Sequence, residues 1–180
     1  MLREEMRMGT PLGVEADRLT RNGLMVPDSM VIELVRKWLD AHPDGFVFDG
    51  FPRTIFQADA LAEMLAGRKA ALDAVLFFDV TTETIFERVM NRVTCSQCAK
   101  SFAIGLHLEA QKSQCPECGG ALIRRGDDTP AALEQRIVEY REKTEPLVAY
   151  YRSRGLLWTL KGAERPEGVF AEVVSILEAA

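Results

Sequence analysis

Two Cys-x-x-Cys pairs constrain the fold of this sequence more than any other feature, because four cysteines that bind one ion tie separate parts of the chain together. The pairs are Cys95/Cys98 and Cys115/Cys118, with 16 residues between them, which is the ribbon-type spacing of zinc sites. Thiolates select zinc or iron over a hard cation such as magnesium. Because cysteine fills all four positions and leaves none for water, we expect one structural zinc ion and not a catalytic one.

Two disulfides are the alternative for these cysteines. Disulfides would suit a secreted protein, but the first residues contain no apolar run of the kind that an export signal needs. A metal site in the reducing cytoplasm is therefore the better interpretation. His107 lies between the two pairs and is a weak additional ligand candidate, since four cysteines already satisfy zinc.

The composition limits the classes of partner. The 180 residues are 47% hydrophobic and 27% charged, with a net charge of -5, as in ordinary soluble domains. An acidic chain is a poor candidate for binding nucleic acid, and no run of 18 apolar residues is present to span a membrane. A small anionic substrate is still compatible, because it needs only local positive charge.

Strand-like and helix-like patterns alternate along the chain. Three short apolar runs predict buried strands: residues 46–48, 74–80 and 156–160. The predicted N-caps of the helices between and after them are Asp28, Thr81 or Thr82, and Thr129. This alternation predicts an α/β fold with a parallel sheet flanked by helices.

The cysteine-bearing stretch interrupts that alternation. It contains few core-like residues, so we interpret it as an inserted subdomain resembling a zinc ribbon. The predicted division is a core segment, the insert and a second core segment, at residues 1–92, 93–126 and 127–180.

A five-residue turn, Asp49-Gly50-Phe51-Pro52-Arg53, follows the first predicted strand. In open α/β sheets, ligands bind where strands end. Gly50 lets the backbone approach a ligand, and Pro52 stiffens the turn. Arg53 can hold a phosphate through two guanidinium nitrogens. Taken alone, the turn is also compatible with a surface turn that carries a solvated arginine.

The turn is one member of an ordered set of motifs. In chain order the set is Met1-Leu2-Arg3, GLMVPD at 23–28, the turn itself, Gln57, Arg88, Arg92, the cysteine insert, LIRRGDD at 122–128 and RIVEY at 136–140. In this order the motifs resemble adenylate kinases, specifically the members whose long lid carries zinc. The resemblance covers essentially the whole chain.

The resemblance implies a P-loop-type nucleoside monophosphate kinase fold and the reversible reaction of ATP with AMP to give two ADP. It implies that Arg3 and residues 50–53 surround the phosphate of AMP, that residues 24–26 line its adenine, and that Gln57 reads the adenine edge. The full set implied to bind AMP is Arg3, Leu24, Met25, Val26, Gly50, Phe51, Pro52, Arg53, Gln57, Arg125 and Arg136.

The resemblance also assigns the donor side and the chemistry. The residues implied to bind ATP are Arg88, Arg92 and Phe102, and the ATP carries magnesium. The arginines implied to be catalytic are Arg53, Arg92, Arg125 and Arg136. Asp49 matches an acidic residue near magnesium. Asp127 and Asp128 match the acidic pair at the hinge where the lid returns to the core.

These roles agree with the physical demands of phosphoryl transfer, which needs positioning and charge stabilisation more than covalent chemistry. Arginines that converge from separate parts of the chain repel one another unless an anion offsets their charge. Transfer to AMP and not to water needs a lid that closes. We expect the insert to move as one body on hinges near residues 93 and 126.

Other functions are compatible with parts of the pattern. They are a UMP/CMP kinase, an AMP kinase that uses GTP, and a non-enzymatic zinc-ribbon or nucleotide-binding protein. The cysteine insert and Gln57 favour adenine nucleotides, so AMP, ATP and ADP are the expected partners. We expect a cytoplasmic monomer that binds neither nucleic acid nor membrane.

The sequence departs from the family pattern in two places. That pattern starts with a strand and a phosphate-binding loop, yet no G-x-x-x-x-G-K-[ST] motif and no Gly-Lys pair occurs here. Either an internal methionine is taken as the start or the chain is a truncated relative. We expect the 180 residues alone to have little kinase activity, which a coupled assay measures. The family's usual glycine after the first cysteine pair is also missing.

Overall fold

The computed structural model describes residues 1–105, 108, 113–162 and 166–179, so His107 lies outside the described residues. The helices are α1 Leu2–Met8, α2 Pro11–Arg21, α3 Asp28–Ala41, α4 Ile55–Ala66, α5 Thr82–Met90, α6 Pro130–Glu139, α7 Pro146–Arg152 and α8 Pro166–Ala179. The strands are β1 Val75–Asp79, β2 Arg92–Cys95, β3 Ser101–Ala103, β4 Leu122–Ile123 and β5 Leu157–Lys161. A π-helical turn, Tyr140–Thr144, lies between α6 and α7. Among the described residues, no helix combines the length and the apolar character needed to cross a bilayer.

The central sheet is parallel. β1 and β5 pair from Val75 beside Leu157 to Asp79 beside Lys161, and α7 and α8 both pack against β5. This confirms the predicted parallel sheet flanked by helices, and both strands lie within one residue of their predicted bounds. Phe78 is 47% exposed, so β1 is less buried than predicted. In the described part of the chain the sheet has only these two strands, so each of them is an edge.

The prediction of a strand at residues 46–48 is wrong. These residues pair with no strand in the described ranges, and Val47 is 90% exposed. The rings of Phe46 and Phe48, with centroids 4.6 Å apart, pack on the core instead. The apolar run correctly identifies side chains that pack inward, but a strand also needs a neighbour for its backbone hydrogen bonds.

The main hydrophobic core lies between α3 and α4. Its buried members are Ile32, Val35, Leu39, Leu61, Met64 and Leu65. On α3 they follow one another at intervals of three and four residues, and on α4 Met64 and Leu65 lie three and four residues after Leu61, which places each set on one face of its helix. Each large apolar side chain that is buried there contributes about 1.5–3 kcal/mol. This core fixes α3 against α4 and so fixes the loops at their N-terminal ends.

Threonines cap four helices. In each case the hydroxyl accepts the amide N–H three residues further on, and the caps are Thr10, Thr54, Thr81 and Thr129. The predictions for Thr81 and Thr129 are confirmed. The prediction for Asp28 is wrong, because Pro27 is the N-cap of α3 and Asp28 is its first residue. The carboxylate of Asp28 binds two side chains at the start of α4 instead.

A second, smaller sheet is antiparallel and contains the cysteine-bearing stretch. Its strand order is β3-β2-β4, with Val93 opposite Phe102 and Cys95 opposite Leu122. The first cysteine pair begins at the last residue of β2, and the second pair precedes β4. The sheet therefore brings the two halves of the cysteine pattern to one end of the same small structure.

Gly23 lies where the chain after α2 passes closest to α6. Its φ is +74°, and a Cβ atom there would lie 2.3 Å from the carbonyl oxygen of Ala132. No side chain fits at that distance. This contact places the segment that follows Gly23 against α6.

We predict that Gly23→Ala lowers the free energy of unfolding far more than Gly155→Ala. Gly155 has a similar φ of +70° but nothing within 4 Å of its Cβ position. Gly155→Ala should therefore cost only the backbone term of about 1–2 kcal/mol. Gly23→Ala should add about 1–3 kcal/mol of overpacking to that. Urea denaturation of both variants measures the difference, and equal losses would contradict the assigned close contact.

Candidate anion site and metal centre

Arg53 is held by hydrogen bonds from three directions. Its Nε donates to the carbonyl oxygen of Gly50 at 2.8 Å, and its amide N–H donates to Oε1 of Gln57 at 2.7 Å. Its carbonyl oxygen accepts from Oγ1 of Thr144 at 2.8 Å, and Thr144 is the last residue of the π-helical turn. These bonds use the backbone and the Nε atom. The outer guanidinium nitrogens have no hydrogen-bond partner in the described ranges and are available to a ligand.

The other residues of the turn support this arrangement. Phe51 packs edge-on against Phe48, with ring centroids 5.5 Å apart. The Phe51–Pro52 peptide bond is cis. Asp49 is exposed, and its negative charge acts on the guanidinium of Arg53.

Gln57 is buried, with 3% of its surface exposed, and its amide group is bonded at both ends. Nε2 donates to Oδ1 of Asp28 at 2.7 Å, while Oε1 accepts from Arg53 as described above. Oδ2 of Asp28 accepts from the hydroxyl of Thr54 at 2.8 Å. The network joins the start of α3 to the start of α4.

The predicted adenine-lining segment lies beside this network. Met25 and Val26 line a cleft of about 270 Å³ together with Asp28 and Thr54. Val26 is buried, whereas Leu24 is exposed. An apolar wall therefore meets hydrogen-bonding groups at one edge of this cleft.

Five arginines from separate parts of the chain influence one another electrostatically: Arg3, Arg53, Arg92, Arg125 and Arg136. Burial away from water lowers the pKa of Arg53, and the positive charge of Arg136, the second-largest cause, lowers it further. Burial likewise lowers the pKa of Arg125, and the positive charge of Arg92 is the second-largest cause. The positive charge of Arg3 lowers the pKa of both Arg53 and Arg125. Arg3 therefore links the pair Arg53 and Arg136 to the pair Arg92 and Arg125.

Asp128 is the carboxylate in contact with this cluster. Its side chain is 1% exposed and accepts two hydrogen bonds from the guanidinium of Arg92, with 2.9 Å between Nε and Oδ2. Nη1 of Arg136 lies 4.0 Å from Oδ1. That Nη1 atom is buried and has no hydrogen-bond partner among the described residues. One carboxylate serves two arginines, and an anion could occupy the remaining donors.

Arg125 is positioned by the small sheet. Its Nε donates to the hydroxyl of Thr94 at 3.0 Å, and its Nη2 donates to the hydroxyl of Ser101 at 2.8 Å. Thr94 and Ser101 are register partners in β2 and β3. Arg125 therefore belongs to the insert's sheet while its charge acts on the cluster.

Two predicted donor-side residues lie elsewhere. Nη1 of Arg88 donates to the carbonyl oxygen of Gly162 at 2.7 Å, which ties the end of α5 to the loop after β5. Phe102 is half-buried in β3 opposite Val93. The structure thus brings five of the predicted arginines together and places Arg88 in a separate contact.

The four cysteines form a single cluster. Their sulfur atoms all lie within 4.8 Å of one another, with Sγ–Sγ separations of 3.4 Å for Cys95–Cys118 and 3.7 Å for Cys98–Cys115. A tetrahedral zinc ion with bonds of about 2.3 Å needs sulfurs roughly 3.8 Å apart. Hydrogen bonds from backbone N–H groups lower the pKa of the Cys95 thiol to about 6, and the N–H of Cys98 has the largest effect. Four sulfurs at these separations, one of them with a lowered pKa, fit a structural metal ion.

The two cysteine pairs have the same backbone geometry. The amide of Ala99 donates to the carbonyl of Cys95 at 3.1 Å, and the amide of Gly119 donates to the carbonyl of Cys115 at 2.9 Å. Both donors have positive φ, +59° for Ala99 and +74° for Gly119. The chain therefore needs a left-handed residue directly after each pair, and one of the two is not glycine.

Sequence reasoning missed several residues that shape the site. The sequence pattern predicts only a helix cap for Asp28, because its partners Thr54 and Gln57 lie too far along the chain for a local pattern to reveal them. Thr144 reaches Arg53 only because of the π-helical turn, which has no sequence signature beyond Pro146 at the start of α7. The hydroxyls that hold Arg125 became apparent only from the strand register.

Comparisons with known proteins give a consistent result. A family model described as adenylate kinase matches residues 1–156. An adenylate kinase of Syntrophotalea carbinolica is 40% identical over 179 residues, which cover 98% of this chain and 83% of the relative. One of Moorella thermoacetica is 41% identical over 167 residues (91% and 76%). One of Archaeoglobus fulgidus is 39% identical over 181 residues (99% and 83%).

We predict that Ala99→Gly stabilises the metal-bound protein. A non-glycine residue with left-handed φ costs about 1–2 kcal/mol, and the substitution by glycine removes this strain. Glycine also has greater conformational freedom in the unfolded chain, which offsets part of the stabilisation. The net increase in the free energy of unfolding should be about 0.5–1 kcal/mol. Gly119→Ala is the matched reverse change and should destabilise by about 1–2 kcal/mol. Chemical denaturation with saturating metal measures both, and a loss of stability in Ala99→Gly would contradict the prediction.

Proposed function

This chain belongs to the adenylate kinase family, and we propose that its site serves the reversible transfer of a phosphoryl group between ATP and AMP to give two ADP, a reaction that we expect the 180 residues alone to carry out only weakly. Members of this family are nucleoside monophosphate kinases, which are phosphotransferases. The single observation that carries the proposal is the cluster of five arginines, with which Asp128 is the one carboxylate in contact among the residues that the structure describes.

The charge balance of that cluster supports nucleotide phosphates as the ligand. Guanidinium groups stay charged at neutral pH, and bringing them together without matching anions costs free energy. Asp128 accepts from Arg92 and lies near Arg136. No carboxylate of the described residues forms an ion pair with Arg3, Arg53 or Arg125. The phosphates of two nucleotides would supply the missing negative charge, and the arginines would then stabilise charge during transfer.

On the acceptor side, we assign Arg3 and residues 50–53 to the phosphate of AMP. The hydrogen bonds that hold Arg53 leave its outer nitrogens free to bind two phosphate oxygens. Residues 24–26 and Gln57 would bind the base, because the cleft combines an apolar wall with the polar side chains of Asp28 and Thr54, and both of these bond to Gln57. Arg125 and Arg136 would complete the site.

On the donor side, we assign Arg88, Arg92 and Phe102 to ATP. Magnesium, when bound with ATP, neutralises charge on the transferred phosphate. Asp49 is an exposed carboxylate at the same turn as Arg53, and carboxylates and water are the ligands that magnesium prefers. Its role would be to bind the water shell of the ion.

We further propose that residues 93–126 act as a lid between core segments 1–92 and 127–180, with zinc as its structural metal. Arg92 and Asp128 lie at the two ends of this insert, and their ion pair spans 36 residues of sequence. Closure would exclude water, so that the phosphoryl group reaches AMP. Zinc fits better than iron for a purely structural role, because it has no redox chemistry.

The alternative functions receive no specific support. The similarity extends across the chain and not only across the cysteine insert, which disfavours an unrelated zinc-ribbon protein. The matched relatives are called adenylate kinases, and no observation favours a UMP/CMP kinase. We propose a monomer that acts in the cytoplasm, where four thiolates remain reduced.

We predict that Arg53→Ala weakens AMP binding on the order of 10- to 100-fold, because it removes charge-assisted hydrogen bonds to phosphate. Arg53→Lys should give an intermediate loss, since lysine keeps the charge without the two-pronged geometry. Arg18→Ala is the control, because Arg18 is an exposed arginine paired with Glu15 on α2. Isothermal titration of AMP into each variant measures the effect. Unchanged affinity in Arg53→Ala would contradict the assigned phosphate site.

We predict that Cys115→Ser lowers the bound metal from one zinc per chain towards none and lowers the thermal midpoint. Serine replaces a buried thiolate with a far weaker zinc ligand. A chelator should lower the midpoint of the wild-type protein by a similar amount and leave that of the variant unchanged. Elemental analysis and thermal denaturation measure these results. A full metal complement in the variant, or iron in place of zinc, would refute the assignment.

A further inference from the structure

We propose that Asp28 is a positioning residue that sets the base specificity of the acceptor site by fixing the orientation of the Gln57 amide. The proposal rests on the proposed function, because it needs Gln57 to face the base of AMP. It assigns to Asp28 a role in choosing between purines that differ at position 6. Asp28 itself need not touch the nucleotide.

The first argument is that the amide of Gln57 has partners of opposite character at its two ends. A carboxylate only accepts hydrogen bonds and a backbone N–H only donates. The atom that faces Oδ1 of Asp28 at 2.7 Å must therefore be Nε2, and the atom that faces the amide of Arg53 at 2.7 Å must be Oε1. Rotating the amide by 180° would place Oε1 against the carboxylate oxygen of Asp28, which is also an acceptor. It would place Nε2 against the backbone N–H of Arg53, which is also a donor.

The second argument is that Asp28 is itself held in place. Its other oxygen, Oδ2, accepts from the hydroxyl of Thr54 at 2.8 Å, and the same hydroxyl accepts from the backbone N–H of Gln57 at 3.1 Å. Hydrogen bonds thus join Asp28, Thr54 and Gln57 in a closed ring of residues at the N-terminal ends of α3 and α4. Gln57 is buried and the other two are half-buried, and a network with every member bonded holds its side chains in one arrangement.

The third argument follows from counting the remaining hydrogen-bonding capacity. A glutamine amide has two N–H donors and two acceptor lone pairs, and the network uses one of each. One donor and one acceptor therefore remain on the same amide group for a ligand. Adenine presents an amino donor at position 6 next to a ring-nitrogen acceptor, and an amide binds this pair through two hydrogen bonds. A 6-oxo purine presents an acceptor where adenine has the amino group, so it meets an acceptor of Gln57.

The fourth argument is positional. Asp28 follows the cleft-lining residues Met25 and Val26 in sequence and lines the same cleft together with Thr54. Through Gln57 it is also joined to Arg53. One carboxylate therefore ties the wall of the base cleft to the phosphate-binding turn.

The test compares AMP with inosine monophosphate, which has a carbonyl in place of the amino group at position 6. The dissociation constants of both are measured by isothermal titration for the 180-residue protein and its variants. We expect the wild type to prefer AMP. Asp28→Ala should lower that preference on the order of 10-fold, because loss of one bidentate contact has this magnitude. Gln57→Ala should lower it to the same level.

The controls separate positioning from folding. Asp28→Asn loses the charge but keeps an oxygen for Nε2 of Gln57, so it should restore most of the preference. Adding Asp28→Ala to Gln57→Ala should change the preference no further, since Asp28 acts through Gln57. Asp59→Ala removes a carboxylate of α4 that accepts from Tyr150 and should leave the preference at the wild-type value. Thermal midpoints report any general loss of structure.

Two results would overturn the proposal while leaving the proposed function intact. One is an equal loss of affinity for both nucleotides in Asp28→Ala with an unchanged preference, which would indicate a structural role alone. The other is a further fall in preference when Asp28→Ala is added to Gln57→Ala. A wild-type protein that binds neither nucleotide would overturn the proposed function and this inference together.

Discussion

The mutual repulsion of five arginines is the constraint on which the arrangement of this protein depends. Guanidinium groups from α1, from the turn before α4, from β2, from the loop after β4 and from α6 act on one another, and loss of water and like charge lower the pKa of Arg53 and Arg125. No fold brings such groups together by hydrophobic burial alone. Three of the arginines are instead anchored by hydrogen bonds: Arg53 through its Nε atom and its backbone, Arg92 through Asp128, and Arg125 through two hydroxyls of the small sheet.

The anchors come from structural elements that are otherwise unrelated, and this explains how the core and the cysteine insert are joined. The core between α3 and α4 fixes the turn that carries Arg53. The antiparallel sheet fixes Arg125 through Thr94 and Ser101. The cluster of four cysteines lies at the end of that sheet where β2 finishes at Cys95, one residue after Thr94. A metal that holds the two cysteine pairs together therefore also holds the register of β2 against β3, and through that register it positions Arg125.

The parts of this structure that follow from local chemistry could be predicted from the sequence. The caps at Thr81 and Thr129, the parallel strands β1 and β5 and the convergence of four sulfurs each depend on residues within a short stretch or on spacing alone. The strand at residues 46–48 could not be judged from its own apolar pattern, because a strand is defined by a neighbour. Asp28 has the sequence context of a helix cap, and its bonds to Thr54 and Gln57 depend on how α3 packs against α4.

The π-helical turn between α6 and α7 has a consequence for how these helices can vary. Such a turn holds one residue more than a regular helical turn, which rotates everything after it by roughly 100°. α6 can therefore direct Leu133 and Arg136 towards one side while α7 directs Leu147 and Tyr151 into the core beside α4. Removing one residue from Tyr140–Thr144 would straighten the helix and misalign both faces at once. In evolutionary terms, this segment tolerates substitution more readily than a change of length.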